Sequence, residues 1–144
     1  MAWHRFARGA TTIAVLAAIS MLNAGAWAAP HYKVLHIFGF GTGGGGLWGS
    51  LVLDGQGSLY GTTSGGGDFG YGTVFELTPG ANGKWTHRLL HSFKNDDSDG
   101  AAPNSALIFD AAGDVFGTTS GGGGPYKHGT VFELEPEGGA GPRE

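Results

Sequence analysis

Gly61-Thr62-Thr63-Ser64-Gly65-Gly66-Gly67 is followed, four residues later, by Gly72-Thr73-Val74-Phe75-Glu76-Leu77. The same series returns as Gly117-Thr118-Thr119-Ser120-Gly121-Gly122-Gly123 and then Gly129-Thr130-Val131-Phe132-Glu133-Leu134. The first glycines of the two copies lie 56 residues apart. A fixed period of this kind marks a repeat architecture, and for β-rich units of roughly 40–50 residues the usual object is a propeller blade.

Working outward from the two copies, short apolar runs alternate with Gly, Pro, Asn and Asp turns. The expected strands are 32–38, 47–54, 58–63, 72–78, 84–93, 105–110, 114–119 and 130–135. Residues 95–103 read as an acidic loop. No stretch beyond residue 28 shows helical periodicity. Short strands joined by tight turns predict an antiparallel meander. The fold class is therefore all-β, with four-strand meander repeats amounting to about two propeller-like blades. Leu51-Val52-Leu53 and Leu107-Ile108-Phe109 are apolar at consecutive positions, which predicts strands covered on both faces. The stretch 85–93 alternates, Leu90 apart, as expected of a half-buried outer strand.

Leu35-His36-Ile37-Phe38 aligns with Leu90-His91-Ser92-Phe93. The chain thus opens on what matches the fourth strand of a unit. One full unit follows, and then three strands of another. This offset predicts either further blades or self-association, with 32–38 completing the last unit of a neighbour.

The N-terminus reads differently. His4, Arg5 and Arg8 form a basic head, residues 10–22 an apolar run, and Ala26-Trp27-Ala28 a small-x-small cleavage site. Together these predict a secretory signal peptide over residues 1–28, with a helical apolar run too short for a confident membrane span. The β-repeat domain then covers 29–135, and 136–144 is an expected disordered tail. Cleavage leaves no membrane span and places the protein outside the cytoplasm, secreted or periplasmic. It removes Arg5 and Arg8, taking the formal charge from −4 to −6. An acidic chain with scattered cations excludes nucleic acid as an expected partner. With no cysteine, the exported fold does not rest on disulfides.

Glycine and proline number 30 and 6, a level often seen in disordered chains. The glycines recur at fixed positions between compact apolar runs, however, and disordered segments lack such runs.

The repeat resembles the exported bacterial choice-of-anchor tandem repeat proteins with GloVer-type repeats. Leu90–Phe93, Asp99-Gly100 with Pro103, Leu107–Thr119 and Thr130–Leu134 carry the resemblance, and Leu51–Gly67 with Gly72–Leu77 repeat it. The earlier copy has Gly43–Gly46 where the later one has Asp-Gly-x-x-Pro. The resemblance implies an exported, surface-associated, propeller-like protein, and it brings no catalytic residues with it.

Several residues carry candidate chemistry. Asn95, Asp97 and Asp99 place oxygen side chains at every second position before Gly100, as a calcium loop requires. The bidentate Glu of an EF-hand is absent, with Ala106 in its place, and the plain alternative is a solvated acidic turn set by Asp99-Gly100. Gly39-Phe40-Gly41-Thr42-Gly43-Gly44 satisfies GxGxxG, but β-structure rather than a helix is expected after it, so the dinucleotide reading fails. His36 and His91 occupy equivalent repeat positions, and repeat-equivalent residues usually pack or cap. Ser64 and Ser120 lack a GxSxG elbow. Asp54, Asp110 and Asp114 flank turns. Glu76 and Glu133 are candidate paired carboxylates for glycoside chemistry. Trp48, Tyr60, Phe69, Tyr71 and Tyr126 lie near the glycine loops, where aromatics can stack on sugars. The expected function is a non-enzymatic binding or scaffold module for carbohydrate or a surface protein. The alternative is an extracellular glycan hydrolase or lyase built on a propeller.

Overall fold

A computed structural model describes residues 30–39 and 41–135. The expected signal peptide at 1–28 and tail at 136–144 lie outside the described residues. Val34 begins the compact unit that holds all the sheet structure.

Among the described residues the structure is all-β, with one 3-10 turn at Ala81–Gly83 and no α-helix. The first sheet contains β1 (Val52–Leu53), β2 (Leu59–Thr63), β3 (Thr73–Pro79) and β4 (Trp85–Ser92). It is an antiparallel meander in the order β1-β2-β3-β4, as the sequence predicts. The second sheet contains β5 (Gly100–Pro103), β6 (Ile108–Phe109), β7 (Val115–Gly122) and β8 (Val131–Leu134). Here β7 pairs β5 and β6 along one edge and β8 along the other. The β1–β4 and β6–β8 registers correspond: Gly61 faces Phe75, and Gly117 faces Phe132.

Two expectations are corrected. Residues 100–103, expected as loop, form β5. Its residues Gly100, Ala101 and Pro103 pair with β7 while Ala102 is skipped. Ala102 has φ of 50° and turns its N–H across to the Tyr71 carbonyl at 2.8 Å. The earlier copy keeps one remnant of this strand, an isolated bridge between Gly45 and Gly65. Residues 32–38, expected as a strand, carry no strand pairing. A strand exists only by hydrogen bonding to a neighbour, and no strand of either sheet pairs with it here.

The irregular Leu90 has a structural reason. Val74 pairs His91 and Phe75 pairs Leu89, so Leu90 is the extra residue of a bulge. A bulge re-aims one side chain while the strand continues. It adds Leu90 to the apolar cluster between the sheets.

Face assignment follows from register, because successive residues point to opposite sides. In the first sheet, Val52, Tyr60 and Val74 share the face turned to the second sheet. They meet Leu107, Phe109, Val115, Phe132 and Leu134 there. The opposite face of the first sheet carries Phe75, which packs on Phe38 with ring centroids 4.7 Å apart. β3 is thus covered on both sides, and Val74 and Phe75 are both fully buried.

Coverage on both faces does not extend to every apolar run. Val131 stands where Val74 stands in the earlier copy, yet it is 79% exposed against 0%. Leu51 is 51% exposed, while its counterpart Leu107 is 2% exposed. Leu53 and Ile108 are also exposed. The correction to the two-faced expectation is geometric. Two stacked sheets bury the faces between them, while an outer face is covered only in places, as where Phe38 packs on Phe75.

Candidate functional site

Both glycine loops, β2–β3 and β7–β8, lie at one end of the sheets and are knitted to other loops by backbone bonds. Gly67 donates to Gly41 at 3.0 Å, Gly123 to Asp99 and Gly124 to Asp97, both at 2.9 Å. The glycines are demanded by shape. At Gly72 and Gly129, φ is 102° in both copies, and a Cβ would strike the carbonyls of Thr63 and Thr119. Beneath the loops, Thr63 and Thr73 share a hydroxyl bond of 2.7 Å, and Thr119 and Thr130 one of 2.8 Å.

On this frame sit Trp48, Phe69, Tyr71 and Tyr126, all exposed. The Lys94 ammonium lies 5.4 Å from the Phe69 ring centroid, within cation–π range. Tyr126 and His128 stack nearly parallel, 6.3 Å apart. Tyr60, grouped with these aromatics in the sequence, belongs elsewhere. It meets Phe109 edge-on at 5.0 Å between the sheets. Burial, together with the nearby Glu76 and Asp54 carboxylates, pushes its hydroxyl up to about 12.

The acidic loop folds around its own carboxylates. Asp99 accepts from the N–H groups of Lys94 (2.9 Å) and Gly100 (2.8 Å), and both its oxygens lie 3.2 Å from His91 Nε2. The Asn95 carbonyl accepts from Lys127 Nζ at 2.6 Å. Asp97 is exposed. Asp96, not among the expected ligands, is held below the usual carboxylate range by the Ser98 N–H and hydroxyl. Asp99 is thus engaged by His91 and by two backbone donors. Among the described residues, no group of three or more His, Asp or Glu side chains is drawn together as a metal site.

The remaining candidates serve the frame. His36 lies edge-on to Phe38 at 4.7 Å, and His91 to Phe93 at the same distance. Glu76 bonds Arg88 Nε at 3.0 Å and Thr78 Oγ1 at 3.1 Å, while Glu133 is exposed on the other sheet, so the two carboxylates belong to different sheets. Ser120 bonds the Ala102 carbonyl and Asn104. Asp54 and Asp110 each accept two backbone N–H groups of their own turns.

Sequence reasoning missed the His91–Asp99 pair and the stacked rings of His36 and His87, 4.7 Å apart. The first had a faint signal, since Asp99 follows His91 by eight residues across one turn. The second had none, because the contact joins residues from unmatched repeat positions. Between the sheets a cavity of about 130 Å³ is lined by Tyr60, Arg88, Leu90 and Leu134 among others. Small-molecule sites usually measure roughly 300–1,000 Å³, so this space is a packing gap rather than a ligand pocket.

Two stacked antiparallel sheets with matched registers and matched glycines define a tandem β-repeat protein. The Gloeobacter/Verrucomicrobia repeat model matches residues 23–141, and the chain belongs to that family. No curated protein and no solved structure matches it.

Proposed function

We propose that the protein is an exported, propeller-like binding module, without catalysis of its own, whose loop end takes carbohydrate. The observation that carries this reading is the exposure of Trp48, Phe69, Tyr71 and Tyr126 on or beside glycine loops held by a repeated frame. Aromatic faces present apolar area beside polar groups at low entropic cost. Sugars offer matching C–H faces and hydroxyls, and the loop backbone supplies donors and acceptors. The division of labour between frame and loops supports it further. Polar residues that recur in both copies bond the frame internally, as Asp54, Asp110, Thr63 and Thr119 do. The exposed aromatics recur only in part: Asn104 stands in the later copy where Trp48 stands in the earlier, and the later glycine loop is one residue longer, so that counted back from Gly129 and Gly72 it is Tyr126 that stands where Phe69 stands. Binding residues concentrate on such variable loops over a rigid scaffold.

The test is affinity electrophoresis of the mature protein through gels containing neutral and acidic polysaccharides. Retardation by at least one polymer is expected, with a loss of several-fold in Trp48→Ala and Tyr126→Ala. Migration unchanged by every polymer, or retardation unaffected by both substitutions, overturns the assignment.

A further inference from the structure

The joint between the two sheets is made of two unlike faces. The first sheet contributes Val52, Tyr60 and Val74, and the second contributes Leu107, Phe109 and Phe132. Each sheet, being a copy of the other, carries both kinds of face. The outer face of the second sheet repeats the first kind with Ile108, Phe116 and Val131. The outer face of the first sheet repeats the second kind with Leu51, Leu53 and Phe75. Ile108, Val131, Leu51 and Leu53 are all exposed. The molecule therefore displays, at opposite ends, the two halves of the joint it has already made once inside.

The segment 34–38 adds a second, independent match. Phe38 packs on Phe75 at 4.7 Å, as Phe93 packs on Phe132 at 5.2 Å. His36 and His91 meet their phenylalanines in the same edge-on geometry, at interplanar angles of 83° and 79°. The segment thus sits against the first sheet as the end of β4 sits against the second. It holds the place of the fourth strand of a sheet that would precede the first. The outer edge of β8 carries no paired strand among the described residues, although β3, its counterpart, is paired along that edge by β4.

Charge agrees with this register. Arg88 of β4 bonds Glu76 of β3 at 3.0 Å. Aligning 32–38 with 87–93 puts Lys33 at the place of Arg88, and Glu133 of β8 is the repeat of Glu76.

We propose that copies of this chain associate head to tail. The outer face of one copy's second sheet stacks on the outer face of the next copy's first sheet, and residues 32–38 of that next copy pair along β8, bringing Lys33 to Glu133. Because the joined patches differ, the contact is heterologous, and such contacts close into rings when the rotation allows. Propellers close with about 4–8 blades, so a ring built solely from the two described sheets would take about two to four copies.

Sedimentation of the mature protein gives the first test, with a discrete species of two to four copies expected. Val131→Asp and Leu53→Asp each place a charge on one exposed half of the joint, and each alone is expected to yield a folded monomer with unchanged far-ultraviolet circular dichroism. Mixed in equal amounts, the two variants retain one intact half each and are expected to form a one-to-one complex. A symmetric face-to-face dimer would not be restored by mixing. Glu133→Lys should weaken the oligomer at least tenfold, and adding Lys33→Glu should recover most of that loss. A wild type that sediments as a monomer at 100 μM (a concentration of about that order suffices for a micromolar joint) overturns the proposal. So does an oligomer indifferent to Val131→Asp and Leu53→Asp, or a pair of monomeric variants that fail to combine.

Discussion

His87 stacks on His36 and touches Phe38 and Phe75, and its Nε2 is buried without a hydrogen-bond partner. Burial and the neighbouring His36 both lower its proton affinity below the ordinary value near 6.5. In the unfolded chain the ring binds its proton at the ordinary pH, so below about 6.5 the unfolded state holds more protons than the folded one. The stability this group supports is full above that pH and is lost as pH falls through 6.5 toward the lowered folded value. His87→Phe keeps the stacking and removes the titration. Urea denaturation at pH 5 and pH 8 is expected to show a smaller pH difference in the variant than in the wild type. At pH 8 the variant should also gain about 1 kcal/mol, because an unpaired buried polar atom has gone. At this scale the sequence was legible where backbone geometry demands a residue type. Gly72 and Gly129 are such places, since their φ of 102° excludes ordinary side chains. His87 was opaque because its environment is supplied by a segment distant along the chain.

The hairpins repeat down to individual bonds. In β1–β2 the Asp54 carboxylate holds the Gln56 and Ser58 N–H groups at 2.8 Å, and in β6–β7 Asp110 holds those of Ala112 and Asp114 at 2.8 and 2.9 Å. Replacing either by Ala leaves two turn donors to water and should cost about 1 kcal/mol. Asp54→Ala and Asp110→Ala are expected to shift the urea midpoint by similar amounts, and the Asn variants by less, since an amide oxygen accepts as well. Unequal losses would show that the two turns differ in strength despite equal geometry. These turns were readable because Asp and Gly act locally. β5 was not, since its sequence Gly-Ala-Ala-Pro has turn character and becomes a strand only by lying along the far half of β7. The break at Leu90 was visible in the alternation, and the register explains it as a bulge.

At the level of the whole chain, the period of 56 residues was enough to place two similar sheets, because each copy carries its own turns and apolar strands. The exposure of Leu51, Leu53, Ile108 and Val131 was readable from the number of units, since stacking two units covers only the inner pair of faces, but not from the strand patterns, which record what a face is suited to meet rather than what meets it. Export belongs to this scale too. The basic head, the apolar run and Ala26-Trp27-Ala28 lead us to expect removal of residues 1–28. N-terminal sequencing of protein recovered outside the cytoplasm should begin at Ala29, and material beginning at Met1 would refute the cleavage.

Val74 and Val131 hold the same position in successive copies, one sealed and the other open to solvent. The difference has a genetic reading. A duplicated unit inserted after the second would arrive with a surface already shaped to seal Val131, and would leave its own valine open in turn. Unequal recombination within such a gene therefore adds or removes whole units without any new contact having to evolve, and the number of units can drift while every seam stays the same.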